Sequence, residues 1–252
     1  MHFLLTNDDG IEAPGLAALA RAVADFGTLQ VVAPATSQSG VSHAMSDRSP
    51  LRVTARPFPG VLQAHAVEGR PADCARLGLT HYAPEADWVL AGINSGGNLG
   101  VDVYYSGTVA AAREAAILGR PAIAVSQFVR DPRTLDWERS GRWAAHVISQ
   151  ILVLPHVPGR FWNINLPHPT DDAPPQVVTV PLAIVPLDVR YHHDDHAEAG
   201  SVFHYRGVYQ SRPRRDGSDV DAVFAGQIAV TPLGLDTTLH GPDTPRFTSP
   251  AS

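Results

Sequence analysis

A chain of 252 residues with 44% hydrophobic and only 17% charged residues is too apolar to be disordered, and it is long enough for one large α/β domain or two small ones. A net charge of −6 with no basic block argues against a stable nucleic-acid complex, and a single cysteine, Cys74, rules out an intramolecular disulfide framework or a cysteine zinc site. No apolar run is long enough to cross a bilayer, and no basic stretch leads into an apolar core at the N-terminus, so neither a membrane span nor a signal peptide is expected and the expected location is the cytoplasm.

The composition also limits how phosphate can be handled. All 19 Lys+Arg residues are arginine, so no P-loop lysine is available. Any phosphate must be neutralised by a metal, by arginine, or by backbone N–H groups and hydroxyls.

The chain opens with a short apolar strand, His2-Phe3-Leu4-Leu5, that runs into Thr6-Asn7-Asp8-Asp9-Gly10. Open α/β sheets place their ligands beyond the carboxyl ends of the strands, and neighbouring carboxylates there hold a hard cation through oxygen. Adjacent residues of a regular strand point to opposite faces. Asp8 and Asp9 can therefore serve one ion only if the strand has already ended, a break that Gly10 permits. A plain Asp-Asp-Gly turn is the structural alternative.

Pro14-Gly15 opens a helix carrying Leu16, Leu19, Ala20 and Val23, which Gly27 stops. Leu29 to Ala33 is a second buried strand, completing a parallel strand–helix–strand unit over Met1–Pro34. The hydroxyl-rich loop Ala35 to His43, with Ser39 near its centre, leaves the same sheet end as Asp8 and Asp9. Leu51–Ala55 and Val61–Val67 are expected as a side ribbon around Pro57-Phe58-Pro59-Gly60. Pro71 opens a further helix in which Cys74 reads as a packed residue.

Trp88 to Ile93 is another buried strand, emptying into Asn94-Ser95-Gly96-Gly97-Asn98-Leu99-Gly100-Val101-Asp102. Glycines let a backbone approach a ligand, and the asparagines offer carbonyl oxygens to a cation and amide donors to an anion. The glycine spacing does not fit a dinucleotide fingerprint. Tyr104-Tyr105-Ser106-Gly107-Thr108-Val109 then leads into an alanine-rich helix, placing Ser106, Gly107 and Thr108 at its N-terminus, where free N–H groups and the helix dipole favour an anion. Ser106 or Thr108 would serve equally as an N-cap.

Ala122–Ser126 is a strand, Trp137–Val153 a helix, and Phe161–Leu166 a strand ending in Pro167-His168-Pro169. Beyond Asp171 the proline-punctuated stretches Val177–Val180 and Leu182–Val185 suggest antiparallel strands, and Ala222 to Leu233 reads as one continuous strand followed by a fraying Pro/Thr tail. His192-His193-Asp194-Asp195-His196 reads as a solvated loop, with metal binding as the alternative. Arg212-Pro213-Arg214-Arg215-Asp216-Gly217 reads as a charged turn, with phosphate contact as its alternative. The expected architecture is α/β: a Rossmann-like, mostly parallel sheet with flanking helices. It forms a single domain over residues 1–252, with a parallel core to about residue 170 and a C-terminal antiparallel extension over 171–252.

Three strand ends thus deliver oxygen-rich loops to one edge, with a helix N-terminus beside them. Carboxylate, hydroxyl and amide oxygens without a His or Cys partner suit Mg²⁺ or Mn²⁺ better than zinc. A hard cation next to a phosphate-sized cradle points to phosphoryl chemistry.

Taken together, Leu5-Thr6-Asn7-Asp8-Asp9-Gly10, Ala33-Pro34 followed by Ser39, Pro71-Ala72-Asp73-Cys74, Gly92-Ile93-Asn94-Ser95-Gly96-Gly97-Asn98-Leu99-Gly100 and Tyr105-Ser106-Gly107-Thr108-Val109 closely resemble the SurE survival-protein family of metal-dependent 5′-nucleotidases and acid phosphatases. The likeness covers the first half of the chain and resumes at Val230-Thr231-Pro232-Leu233, with little recognisable between His168 and Asp219. It implies a divalent-metal-dependent phosphomonoesterase that hydrolyses nucleoside monophosphates to nucleoside and phosphate, and that also acts on short polyphosphate. By motif position Asp8, Asp9, Ser39 and Asn94 would ligate one Mg²⁺ or Mn²⁺ per subunit, with Asp8 and Asp9 catalytic. Asn98, Ser106, Gly107 and Thr108 would lie near the phosphate. Family members are generally homodimers or homotetramers that exchange C-terminal elements, and this implies the same use for residues 171–252.

Two other readings compete. One is a non-enzymatic module that binds a metal–nucleotide complex and signals through its C-terminal part. The other is an aspartyl-phosphate phosphatase, whose two acids are usually one residue apart rather than adjacent as here.

Overall fold

The computed structural model describes residues 1–132, 135–168, 173–194 and 200–238. The strands are β1 (His2–Thr6), β2 (Thr28–Pro34), β3 (Val53–Ala55), β4 (Gln63–Val67), β5 (Trp88–Ser95), β6 (Ala122–Gln127), β7 (Arg160–Leu166), β8 (Val177–Thr179), β9 (Tyr191–Asp194), β10 (Val202–Tyr205) and β11 (Ile228–Gly234). The helices are α1 (Pro14–Ala22), α2 (Pro71–Leu77), α3 (Gly107–Ile117), α4 (Trp137–Ile151) and α5 (Asp219–Phe224).

Period-two alternation divides the strands between two cores. Phe3 and Leu5 of β1 pack with Leu16 and Leu19 of α1 and with Val147 and Ile148 of α4 on one face. Leu4 faces the other way, onto Cys74 and Ala75 of α2 and onto Val109, Ala112 and Ala115 of α3. The alanine run that predicted α3 also lets that helix lie close to the sheet, since Ala110, Ala111, Ala112 and Ala115 are all buried. A smaller core joins Leu99 and Phe128 to Ala183, Val220, Val223 and Ala229 of the C-terminal part.

Nine strands form one sheet in the order β3-β4-β2-β1-β5-β6-β7-β11-β8. The run from β4 to β7 is parallel throughout. The chain starts at β1 near the middle, moves outward to β2 and β4, and returns to β5 on the other side of β1. The strand order therefore reverses between β1 and β5, the position at which doubly wound sheets open a crevice beyond their carboxyl ends. Asp8-Asp9 follow β1, Asn94 lies at the end of β5, and Gly96 to Asn98 follow it.

Several expectations require correction. β3 and β4 are not a separate ribbon: β3 pairs antiparallel with β4, but β4 pairs parallel with β2, so both extend the main sheet. Leu182–Val185 is not a strand; Ile184 N–H and Val185 N–H turn back to the carbonyls of Leu182 and Ala183. Ala222 to Phe224 lies in α5 and the strand begins only at Ile228, because Gly226, at φ +86°, breaks the run. β11 is antiparallel to β7, and β8 runs parallel to β11. His192, His193 and Asp194 are in β9, paired antiparallel with β10, rather than in a loop. Asp195, His196, Pro169 and the tail beyond residue 238 lie outside the described residues.

Candidate functional site

β1 ends at Thr6, so Asp8 and Asp9 lie past the regular strand, as two adjacent acids serving one side require. The turn closes locally. Asn7 Nδ2 donates to the Gly10 carbonyl at 2.8 Å, and Gly10 sits at φ +102° where a Cβ would come within 3.2 Å of the Thr36 backbone. A larger residue at Gly10 would be strained and would push away the loop after β2. That loop is tied to the turn directly, through Gln38 N–H to the Asp8 carbonyl at 2.7 Å.

The two acids reach the two elements on the other side of the crevice. Asp8 is buried, and its Oδ1 accepts a short hydrogen bond from the Thr108 hydroxyl in the first turn of α3. Asp9 Oδ2 accepts from Ser95 N–H, at the end of β5, at 2.9 Å. Burial pushes the Asp8 carboxyl up, the Thr108 hydroxyl pulls it down and the neighbouring Asp9 charge pushes it up again, leaving it at about 6. Burial also raises Asp9, against the Ser95 N–H. Among the described residues no ion pair reaches either carboxylate.

Gly107 is required here. A Cβ at that position would lie 2.8 Å from Asp8 Cβ and 2.9 Å from Asp8 Oδ2. Only glycine lets the start of α3 come this close. Ser106 is the N-cap, its Oγ accepting from Val109 N–H at 3.0 Å. The helix N-terminus, with its positive dipole end, therefore faces the acid pair.

β5 carries a register shift between Ala91 and Asn94 in its pairing with β6, a bulge that re-aims the strand end. Asn94 Nδ2 donates to the Gly96 carbonyl at 2.8 Å, which leaves Oδ1 as the uncommitted end of the amide. Asn98 is more deeply fixed than its sequence position suggests. Its N–H donates to Asn165 Oδ1 at 2.8 Å and its Nδ2 to Ser126 Oγ at 2.7 Å, while its carbonyl accepts from Asn163 and Asn165. Ser39 is exposed and makes its hydrogen bond to Ser37 Oγ at 3.1 Å.

The loop carrying Ser39 is latched onto α3 and its approach. Ser42 donates through N–H to the Tyr105 carbonyl at 3.1 Å and through Oγ to the Tyr104 carbonyl at 2.6 Å. His43 Nε2 lies 2.7 Å from Glu114 Oε2, and Arg76 Nε donates to Glu114 Oε1 at 2.5 Å. Beside this loop an open cleft of 760 Å³ is lined by residues including Gln38, Met45, Arg48, Val67 and Arg70.

An oxygen donor set built on a buried Asp8 and a half-buried Asp9, both raised by burial and without a cationic side chain, fits a hard divalent cation. Among the described residues no group of three or more His, Cys, Asp or Glu is placed to hold a metal ion, and the His192 to His196 run continues outside those residues. Cys74 is buried with its thiol pushed well up by burial and by Asp73, which leaves it unreactive.

Sequence reasoning placed Thr108 beside the phosphate and missed its bond to Asp8. It also missed the contacts of Tyr209, Arg212 and Asp219 with the loop after β5. Those partners are 107 to 119 residues away, and no local pattern signals them.

The chain matches the family described as survival protein SurE over residues 3–183. A protein of Synechocystis sp. is 47% identical over 92% of this chain and 99% of its own length. The 5′-nucleotidase SurE of Brucella canis is 40% identical over 95% of this chain and 94% of its own. The crystal structure of the SurE protein from Aquifex aeolicus superposes with a TM-score of 0.78 at 32% identity, covering 94% of this chain and 95% of that one. No described helix is long and apolar enough to cross a membrane. With its family match covering most of the chain and its acid pair at the β1/β5 crevice, the protein belongs to the SurE survival-protein family.

Proposed function

We propose that the protein is a divalent-metal-dependent 5′-nucleotidase that releases phosphate from nucleoside monophosphates. The observation that carries this reading is the meeting of the Asp8-Asp9 turn with the N-terminus of α3 at Thr108 and Gly107. The 5′-nucleotidase SurE name of the Brucella canis relative supports it. Asp8, Asp9, Asn94 Oδ1 and Ser39 Oγ are the oxygens that would hold Mg²⁺ or Mn²⁺. When bound, such a cation supplies Lewis-acid polarisation of the phosphoryl oxygens and neutralises their charge.

The chain's own groups do the rest. The first turn of α3 offers N–H groups and its dipole to the equatorial phosphoryl oxygens, where charge builds in an in-line displacement. Ser106 caps that turn and Thr108 fixes the rotamer of Asp8. Attack of water on phosphorus breaks the ester P–O bond, and the nucleoside leaves as its alcohol. Asn98, held by Ser126 and Asn165, rigidifies the loop that flanks the phosphate. The 760 Å³ cleft lined by Gln38, whose N–H is bonded to the Asp8 carbonyl, is where the nucleoside would lie. Short polyphosphate would be accepted at the same anion cradle.

The reading extends to assembly and location: a homodimer or homotetramer acting in the cytoplasm, without a membrane or nucleic-acid partner. The hairpin β9–β10 and its flanks expose Tyr191, Phe203, Tyr205 and Val208, an apolar surface suited to a second copy. Light scattering would test it, and a monomer at micromolar concentration would sink that part.

The decisive experiment is phosphate release from a panel of nucleoside monophosphates and tripolyphosphate with Mg²⁺ or Mn²⁺, then with chelator. Release lost on chelation and in Asp8→Asn is expected. Saturable nucleotide binding without phosphate release would favour the binding-module reading instead, and activity indifferent to chelator would remove the metal.

A further inference from the structure

Residues of the C-terminal part, from Ala183 to Asp219, make a set of directed contacts to the stretch between β5 and α3. The Tyr209 hydroxyl lies 2.9 Å from the Gly97 carbonyl and 3.0 Å from Asp102 Oδ2, its single proton shared between the two acceptors. Arg212 forks onto the same carboxylate, with Nη1 on Oδ2 and Nη2 on Oδ1, the latter at 2.8 Å. Its side chain is only 7% exposed and its guanidinium lies 4.5 Å over the Tyr209 ring. Asp219, fully buried, accepts from Gly100 N–H at 2.6 Å and from Ala183 N–H at 2.8 Å.

These contacts fall on one stretch. Residues 94 to 108 are tied to the acid pair at both ends, through Ser95 N–H to Asp9 and the Thr108 hydroxyl to Asp8. The middle of the stretch rests on the C-terminal segment at Gly97, Gly100 and Asp102. The Asp102 carbonyl then accepts from Tyr105 N–H and Ser106 N–H, both at 2.9 Å, so the carboxylate held by Arg212 belongs to the residue that seats the N-cap of α3. Packing leaves the loop little alternative: a Cβ at Gly97 would meet the Tyr209 hydroxyl at 3.0 Å, and one at Gly100 would meet the Ala183 carbonyl at 2.6 Å. Burial, reinforced by the Asp102 charge, raises the Tyr209 hydroxyl above its ordinary value.

We propose that Tyr209 and Arg212, through Gly97 and Asp102, are positioning residues that set the end of β5, which bears Asn94, and the start of α3 around the acid pair. The C-terminal segment thereby tunes cation affinity and turnover without touching substrate. This rests on the assignment of Asn94, Asp8 and Asp9 as cation ligands. A rigid bidentate arginine–carboxylate pair and a tyrosine hydroxyl seated between two acceptors are suited to this task, because such outer partners fix ligand orientation.

The test is calorimetric titration of Mn²⁺ into the full-length protein without substrate, for wild type, Tyr209→Phe, Arg212→Gln, Arg212→Lys and Asp8→Asn, with thermal melts of each. Tyr209→Phe keeps the ring that stacks near Phe128 and removes only the hydroxyl. Affinity weakened about 10-fold in Tyr209→Phe and Arg212→Gln, partly restored in Arg212→Lys, and measured well below each melting temperature, is the expected result. A structural role alone would lower the melting temperature and leave the Mn²⁺ isotherm unchanged. An isotherm present in wild type, absent in Asp8→Asn and unaltered in Tyr209→Phe and Arg212→Gln overturns the clamp and leaves the cation site standing. A wild-type protein with no Mn²⁺ isotherm overturns both.

Discussion

The Thr108 hydroxyl donates to Oδ1 of Asp8 across 100 residues of sequence, joining the first loop of the sheet to the first turn of α3. Removing that donor frees the Asp8 rotamer and leaves its carboxylate less well solvated by the protein. Thr108→Val is expected to lower kcat/KM about 10- to 100-fold, the usual cost of losing a partner that orients a ligand. Thr108→Ser, which keeps the hydroxyl, should retain most of it. Hydrolysis of p-nitrophenyl phosphate with Mn²⁺ measures both, and equal rates for Val and Ser variants would refute the orienting role.

Gly107→Ala places a methyl 2.8 Å from Asp8 Cβ. The clash must displace either the helix start or the carboxylate, and overpacking of this kind costs about 1–3 kcal/mol. Because the displaced atoms belong to the site, activity should fall further than the melting temperature suggests. Denaturant unfolding alongside a phosphatase assay separates the two effects. Full activity in a stable Gly107→Ala protein would show that α3 does not need this approach.

The parts of the molecule legible in the sequence are those with local signals. The run Phe3-Leu4-Leu5, the Pro14 start of α1 and the alanines of α3 each announce their element within a few residues, and the acid pair and the Ser106 cap follow from where those elements end. The C-terminal part gave weaker signals. α5 is six residues long, too short for a helical period to show, and its apolar Val220, Ala222 and Val223 merge by eye with the strand beginning at Ile228. Its role was illegible for a different reason. Asp219 and Tyr209 act on Gly100 and Gly97 through backbone groups, and a backbone N–H or carbonyl leaves no trace in residue identity.

Asp219→Ala should be among the more destabilising single changes outside the sheet. It strands the N–H groups of Gly100 and Ala183, both in buried surroundings, and removes a third acceptor from Val220. Unfolding free energy is expected to drop by about 2–4 kcal/mol, since each buried donor left unmade costs about 1–3. Urea denaturation followed by circular dichroism checks it; a change under 0.5 kcal/mol, the usual range for surface substitutions, would place Asp219 outside the structural role assigned to it.

Glu114 gives the fold a defined acid sensitivity. Burial pushes its carboxyl up, but hydrogen bonds from His43 and Arg76, together with the Arg76 and His43 charges, outweigh burial and hold it below its ordinary 4.5. The folded chain therefore binds fewer protons there than the unfolded chain, so this contribution to stability is present in full above pH 4.5 and is lost as pH falls through the lowered value. Glu114→Gln should be less stable than wild type by about 1–3 kcal/mol at pH 7, from the partners left unmade. The gap should narrow as the pH is taken below 4.5, where the wild-type carboxyl protonates as well. Parallel melts of the two proteins from pH 7 downward read the effect directly. A gap independent of pH would mean that Glu114 contributes by packing and hydrogen bonding alone, and that the latch it forms with His43 over the loop bearing Ser39 does not depend on its charge.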